Sequence, residues 1–234
     1  MAAQLFLALD TTDVAVAAAQ AQATRGAVAG LKLGLEFFVA NGPAGVRQVA
    51  APRLFLDLKL HDIPNTVAGA VRAAAALAPE LLTVHAGGGG AMLRAAADAA
   101  GEAAAKAGAA RPRVVGVTVL TSLGEGDLEA VGQRGPVADQ ARRLAALAQR
   151  SGLDGVVCSP HEIAALRAEC GSGFLLVVPG LRPSWAAAGD QKRVMTPGEA
   201  ARLGADYLVI GRPITAAADA ADAARRVAAE IAAA

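Results

Sequence analysis

The segment Asp57-Leu58-Lys59-Leu60-His61-Asp62-Ile63-Pro64-Asn65-Thr66 sets two acids and a lysine close together at the end of an apolar run. In an extended strand, residues two apart share a face, so Asp57 and Lys59 point together while Leu58 points the other way. Opposite charges on an inner face are costly to desolvate unless they pair. Asp10 closes an earlier apolar run, and Lys32 lies near the end of another. Asp10, Lys32, Asp57, Lys59 and Asp62 therefore converge from three successive strand ends. Alternating cations and anions let each ammonium keep its neighbouring carboxylate ionised. A lysine held in this way is a positioned proton donor, and carboxylates beside it bear on a substrate's charge. The bland alternative is an ion-pair cluster that only plugs the fold. A second group lies late in the chain: Pro179-Gly180-Leu181-Arg182-Pro183, then Asp190-Gln191-Lys192-Arg193, then Ile210-Gly211-Arg212-Pro213. Gly211 permits close backbone approach, and Arg212 offers a forked donor to phosphate. Residues 180–196 exceed an ordinary connecting loop and are a candidate lid.

The elements that must position these groups are legible as an alternation. Apolar runs predict strands at 5–9, 30–33, 54–58, 81–85, 114–120, 155–158, 174–178 and 207–210. Between them lie alanine-rich segments of helical character, among them 14–23, 66–77, 91–107, 137–151 and 160–169. The strands are mostly apolar rather than alternating, as parallel strands covered on both faces are. Eight βα repeats in 234 residues predict an α/β fold, a single closed (β/α)8 barrel over residues 1–234. A doubly wound sheet is the alternative, though it rarely uses eight evenly spaced units. In such barrels the active site forms at the C-terminal ends of the strands, and the loops after strands seven and eight commonly hold phosphate.

Composition excludes several other classes. Lys+Arg 22 against Asp+Glu 21 gives a net charge of +1, so no basic excess points to nucleic acid. No apolar run is long enough to cross a membrane, and the N-terminus lacks the pattern of a signal peptide. Cys158 and Cys170 are too few for a disulfide framework, which fits a reduced, cytoplasmic protein. His61, His85 and His161 share no metal-ligand spacing. His85 reads as a hydrogen-bonded structural residue, His61 as packing or capping, and His161 as structural at a helix start. The glycines at 87–90 lack the lysine and spacing of a phosphate-binding P-loop, and no dinucleotide fingerprint follows a strand.

Asp57-x-Lys59-x-x-Asp62 followed by Ile-Pro-Asn-Thr resembles the signature of the orotidine 5′-monophosphate decarboxylase family, in its shorter bacterial form. The likeness extends through Asp10, Lys32-Leu33-Gly34, Val117-Thr118-Val119-Leu120-Thr121-Ser122, Asp154-Gly155-Val156-Val157-Cys158-Ser159, Pro179 to Pro183, Asp190-Gln191 and Gly211-Arg212, and so spans nearly the whole chain. The resemblance implies a cofactor-independent decarboxylase that makes uridine 5′-monophosphate. It implies that Lys59 donates a proton to C6 of the pyrimidine, that Asp57 sits against the substrate carboxylate, and that Lys32 and Asp62 complete the charged network. It places Asp10 and Lys32 on the ribose, Thr121 and Ser122 on the pyrimidine, and Arg182, Gln191, Gly211 and Arg212 around the phosphate, with Pro179 also among the substrate-binding residues. Asp62 and Thr66 would come from the partner subunit of a homodimer. A sister family, decarboxylating 3-keto-L-gulonate 6-phosphate, shares Asp-x-Lys-x-x-Asp but binds magnesium; its second-strand position is acidic where this chain has Lys32. A non-catalytic barrel that binds phosphorylated ligands is a further alternative.

Overall fold

The computed structural model describes residues 2–49, 51–186 and 195–234. Eight strands, β1 (Gln4–Leu9), β2 (Gly30–Gly34), β3 (Leu54–Leu60), β4 (Leu81–His85), β5 (Arg113–Val117), β6 (Gly155–Val157), β7 (Leu175–Val178) and β8 (Tyr207–Ile210), pair in sequence order. All the pairings are parallel, and β8 closes on β1. The expected barrel is therefore the observed one.

Both strand faces are buried, which accounts for the apolar runs. Leu7, Leu9, Leu31, Leu33, Leu56 and Leu82 face outward onto the helices, while Phe6, Phe55, Leu81, Val115, Val177, Tyr207 and Val209 fill the barrel interior. Phe6 meets Tyr207 and Phe55 edge to face, at centroid distances of 5.4 Å and 6.4 Å. This large ring fits because Gly30 lies opposite it: a Cβ there would come within 2.4 Å of the Phe6 ring.

The helices α1 (Val14–Ala23), α2 (Leu35–Gln48), α3 (Pro64–Ala75), α4 (Gly89–Ala107), α5 (Glu125–Ala130), α6 (Val137–Arg150), α7 (Ile163–Cys170), α8 (Pro197–Arg202), α9 (Arg212–Thr215) and α10 (Ala220–Ala232) cover the outside. Local chemistry sets their starts. Asp13 accepts hydrogen bonds from the Ala15 and Val16 amides at the head of α1, and Pro64 opens α3 at a position where no amide is needed. Alanine, the best helix former, presents a thin surface that lets α4 pack closely through Ala96, Ala99 and Ala100.

Several boundaries depart from expectation. β5 stops at Val117 rather than at 120, because both the amide and the hydroxyl of Thr118 donate to the Val157 carbonyl and turn the chain over the barrel mouth. β3 continues to Leu60, two residues beyond its expected end. The segment expected as one helix at 160–169 begins as a 3-10 turn, Pro160–Glu162, capped by Ser159, before α7 starts.

Candidate active site

The C-terminal mouth of the barrel opens into a cavity of about 320 Å³. Along one wall runs a chain of four charges from β1, β2 and β3. Lys32 Nζ lies 3.0 Å from Asp10 Oδ1 and 3.8 Å from Asp57 Oδ2, and Lys59 Nζ lies 2.8 Å from the same Asp57 oxygen. Lys32 and Asp57 are buried, whereas Lys59 is half-buried and Asp10 exposed. Asp57 thus lies between two lysines, whose proximity offsets the cost of burying its carboxyl group. Gly34 makes room for this arrangement, since a Cβ there would stand 3.0 Å from Lys32 Nζ.

Lys59 reaches the cavity by a route that alternation does not describe. β3 and β4 lose register between Leu56 and Leu60, and Lys59 adopts φ +49°, a left-handed conformation rare for a side-chain-bearing residue. The segment is held by a residue that sequence reasoning missed. Thr83, fully buried on β4, accepts from the Lys59 amide at 2.8 Å and donates to Asp57 Oδ1 at 2.9 Å.

Thr121, Pro179, Arg182, Gly211 and Arg212 also line the cavity. Arg182 is buried, and its amide is tied to the Met195 carbonyl at 3.1 Å. A Cβ on Gly211 would meet Ala8 Cβ at 3.3 Å and Asp10 Oδ2 at 3.5 Å, so the smallest residue keeps the seam between β8 and β1 open.

Three expected site residues stand apart. Asp62 is exposed and turns its carboxylate onto its own neighbour, the Ile63 amide, at 2.6 Å rather than onto the lysines. Thr66 and Ser122 are exposed and do not line the cavity. Gln191 and residues 187–194 of the expected lid lie outside the described residues.

The histidines make local contacts. His85 accepts from the Gly87 amide at 3.2 Å and stacks on His61, with ring centroids 5.1 Å apart. Burial first, then the positive fields of His61 and Lys59, push its pKa down, which keeps a third cation away from the lysines. His161 donates its amide to Ser159 Oγ at 3.3 Å. Cys158 also borders the cavity, and burial pushes its thiol well above the ordinary range. Among the described residues, no cluster of His, Cys, Asp and Glu is arranged to hold a metal ion, and no helix is long and apolar enough to cross a membrane.

A closed parallel barrel with a charge-bordered cavity at its C-terminal strand ends and phosphate-type donors beyond strands seven and eight is the architecture of a (β/α)8-barrel enzyme. The family profile described as "Orotidine 5'-phosphate decarboxylase / HUMPS family" matches residues 3–227, and the chain belongs to that family. Orotidine 5'-phosphate decarboxylase of Paramagnetospirillum magneticum is 58% identical over 97% of this chain and 97% of its own length. The Rhodospirillum rubrum protein of the same name is 57% identical over 97% of this chain and 93% of its own. The crystal structure of orotidine 5'-phosphate decarboxylase from Lactobacillus acidophilus superposes with a TM-score of 0.84 at 35% identity, covering 98% of this chain and 99% of that one.

Proposed function

We propose that this chain converts orotidine 5′-monophosphate to uridine 5′-monophosphate by charge placement, with Lys59 as proton source and without a cofactor. The activity itself, a carboxy-lyase step of pyrimidine-nucleotide synthesis, follows from the family and from relatives of that name aligned along nearly the whole chain. The observation that carries the residue roles is the Asp10–Lys32–Asp57–Lys59 chain bordering the cavity.

Loss of carbon dioxide leaves an electron pair in the ring plane at C6, with no conjugated sink to receive it. A preorganised positive charge is then the available remedy, and such electrostatic terms are commonly the largest in catalysis. In this reading Asp57 faces the substrate carboxylate, Lys59 meets and protonates the developing carbanion, and Lys32 fixes Asp57 while reaching the ribose with Asp10. Two unit charges 4 Å apart interact by roughly 4 kcal/mol at an effective dielectric near 20. Enzymes commonly lower barriers by roughly 8–23 kcal/mol, so the Lys59 contact needs help. Binding of the remote phosphate by Arg182, Gln191, Gly211 and Arg212, with Pro179 beside them, supplies it by fixing the ring and excluding water. Thr121, which lines the cavity, takes the pyrimidine edge.

The magnesium-dependent alternative is disfavoured by Lys32. Its ammonium occupies the space between the Asp10 and Asp57 carboxylates, where a divalent cation would have to sit.

The working unit in this proposal is a homodimer of one-domain subunits in the cytoplasm. Two free thiols suit that compartment. Asp62 and Thr66 lie exposed near the mouth, and Ile63, Leu35 and Val39 present exposed apolar side chains on the segments after β3 and β2. Each Asp62 would then complete its partner's site. Mixing inactive Asp62→Ala with inactive Lys59→Ala subunits should restore activity, because one of the two hybrid sites holds both native groups. Absence of recovery despite verified subunit exchange would refute the shared site.

A further inference from the structure

Thr83 sits where β3 and β4 fall out of step. Leu56 pairs with Leu82 and Leu60 with Val84, so Asp57, Leu58 and Lys59 together oppose the single residue Thr83. A bulge of this kind leaves ladder groups without backbone partners and re-aims side chains. Here one hydroxyl replaces the missing ladder. It accepts the Lys59 amide proton at 2.8 Å and passes its own proton to Asp57 Oδ1 at 2.9 Å, leaving the other Asp57 oxygen to Lys32 and Lys59. Its side chain is wholly buried, so water does not compete for either bond. Lys59 holds φ +49°, and a side-chain-bearing residue stays there only when its surroundings fix it. Leu82 and Val84, the strand neighbours of Thr83, point away into the helix layer.

We propose that Thr83 is a positioning residue for the decarboxylation. It locks the bulged backbone that aims the Lys59 ammonium and orients the Asp57 carboxylate, and it touches no substrate. This inference rests on the roles given above to Lys59 and Asp57.

The test is steady-state decarboxylation of orotidine 5′-monophosphate by Thr83→Val, which keeps the shape and removes the hydroxyl, and by Thr83→Ser, which keeps the hydroxyl. A hydrogen bond to a charged group implies a kcat loss of roughly 10- to 100-fold in Thr83→Val. KM should move less than about threefold, because binding at the phosphate end is untouched. Thr83→Ser should restore kcat to within a few-fold of the native rate. If Thr83→Val is insoluble, Thr83→Cys, a weak donor and acceptor of similar volume, takes its place with the same expectation. A native kcat in the variant lacking the hydroxyl, or a loss that Thr83→Ser shares, would overturn the assignment. Lys59→Ala, run alongside, separates the two levels. If it is inactive while Thr83→Val is fully active, the Thr83 inference alone fails; if Lys59→Ala turns over normally, both fail.

Discussion

At its N-terminal mouth the barrel holds a second polar network, built at the starts of the strands. Arg53 donates to both Glu80 and Gln4, Arg113 donates to Tyr207, and the Tyr207 hydroxyl donates to Glu80 at 2.9 Å. The Arg53 guanidinium also lies 5.4 Å from the centre of the Phe6 ring, against the aromatic floor of the barrel. At the C-terminal mouth, by contrast, Lys32, Asp57 and Lys59 turn toward a cavity. Both ends use paired charges, yet they do different things. In the lower network planar guanidinium and carboxylate groups interlock in a structural plug, while the upper one leaves flexible ammonium heads beside space for a ligand. Ion pairing alone therefore does not mark a site; a pair facing a cavity does.

The sharpest way to break that comparison is to exchange effects between the two ends. We expect Lys59→Ala to lower kcat by roughly 10³-fold or more, since it removes both proton source and local positive charge. Its thermal midpoint should stay within a few degrees of native by calorimetry. Substantial residual turnover would return the upper network to a structural role.

Glu80→Gln should show the opposite profile. We expect a stability loss of about 2 kcal/mol in chemical denaturation, with kcat within about twofold of native. Hydrogen bonding from Arg53, more than any other contact, holds the Glu80 carboxyl below its ordinary range. A depressed carboxylate contributes stability above its unfolded pKa and loses it as pH falls through the lower folded value. Glu80→Gln should accordingly be less sensitive to acid below about pH 4.5 than the native protein. A large fall in kcat would mean that the two mouths are coupled.

Glu162 sharpens the contrast by showing a buried carboxyl with no cation bonded to it among the described residues. Burial pushes its pKa up to about 7, despite the hydrogen bond it accepts from the Ser159 amide. A raised value stabilises the fold fully below the unfolded pKa and less as pH climbs through the folded one. Native stability should therefore decline between about pH 4.5 and 7 by an amount that Glu162→Gln removes, roughly 3 kcal/mol. Denaturation midpoints across that interval measure it; identical slopes in the two proteins would refute the assignment.

The barrel was readable because its strands, buried on both faces, are unbroken apolar runs, and the cluster of Asp10, Lys32, Asp57 and Lys59 was readable because each sits at the end of one. Strand alternation alone does not account for the shared face of Asp57 and Lys59. Simple alternation brings them together on paper, whereas the structure does it with a bulge and a left-handed Lys59. Thr83 escaped notice because a threonine within an apolar run reads as an ordinary strand former. Its opposition to Asp57–Lys59 depends on a register no local pattern records. Arg53 and Glu80 escaped for a related reason: they precede β3 and β4 and meet only because neighbouring strands begin level with each other. Asp62 shows the reverse limit, since its type and spacing fit the network while its side chain points elsewhere.

The decisive measurement follows the ultraviolet absorbance of orotidine 5′-monophosphate after mixing with chelator-dialysed protein. If fixed ammonium groups alone stabilise the departing electron pair, the dialysed native enzyme consumes substrate at its full rate and added magnesium changes nothing. Turnover that vanishes on dialysis and returns with magnesium would contradict this.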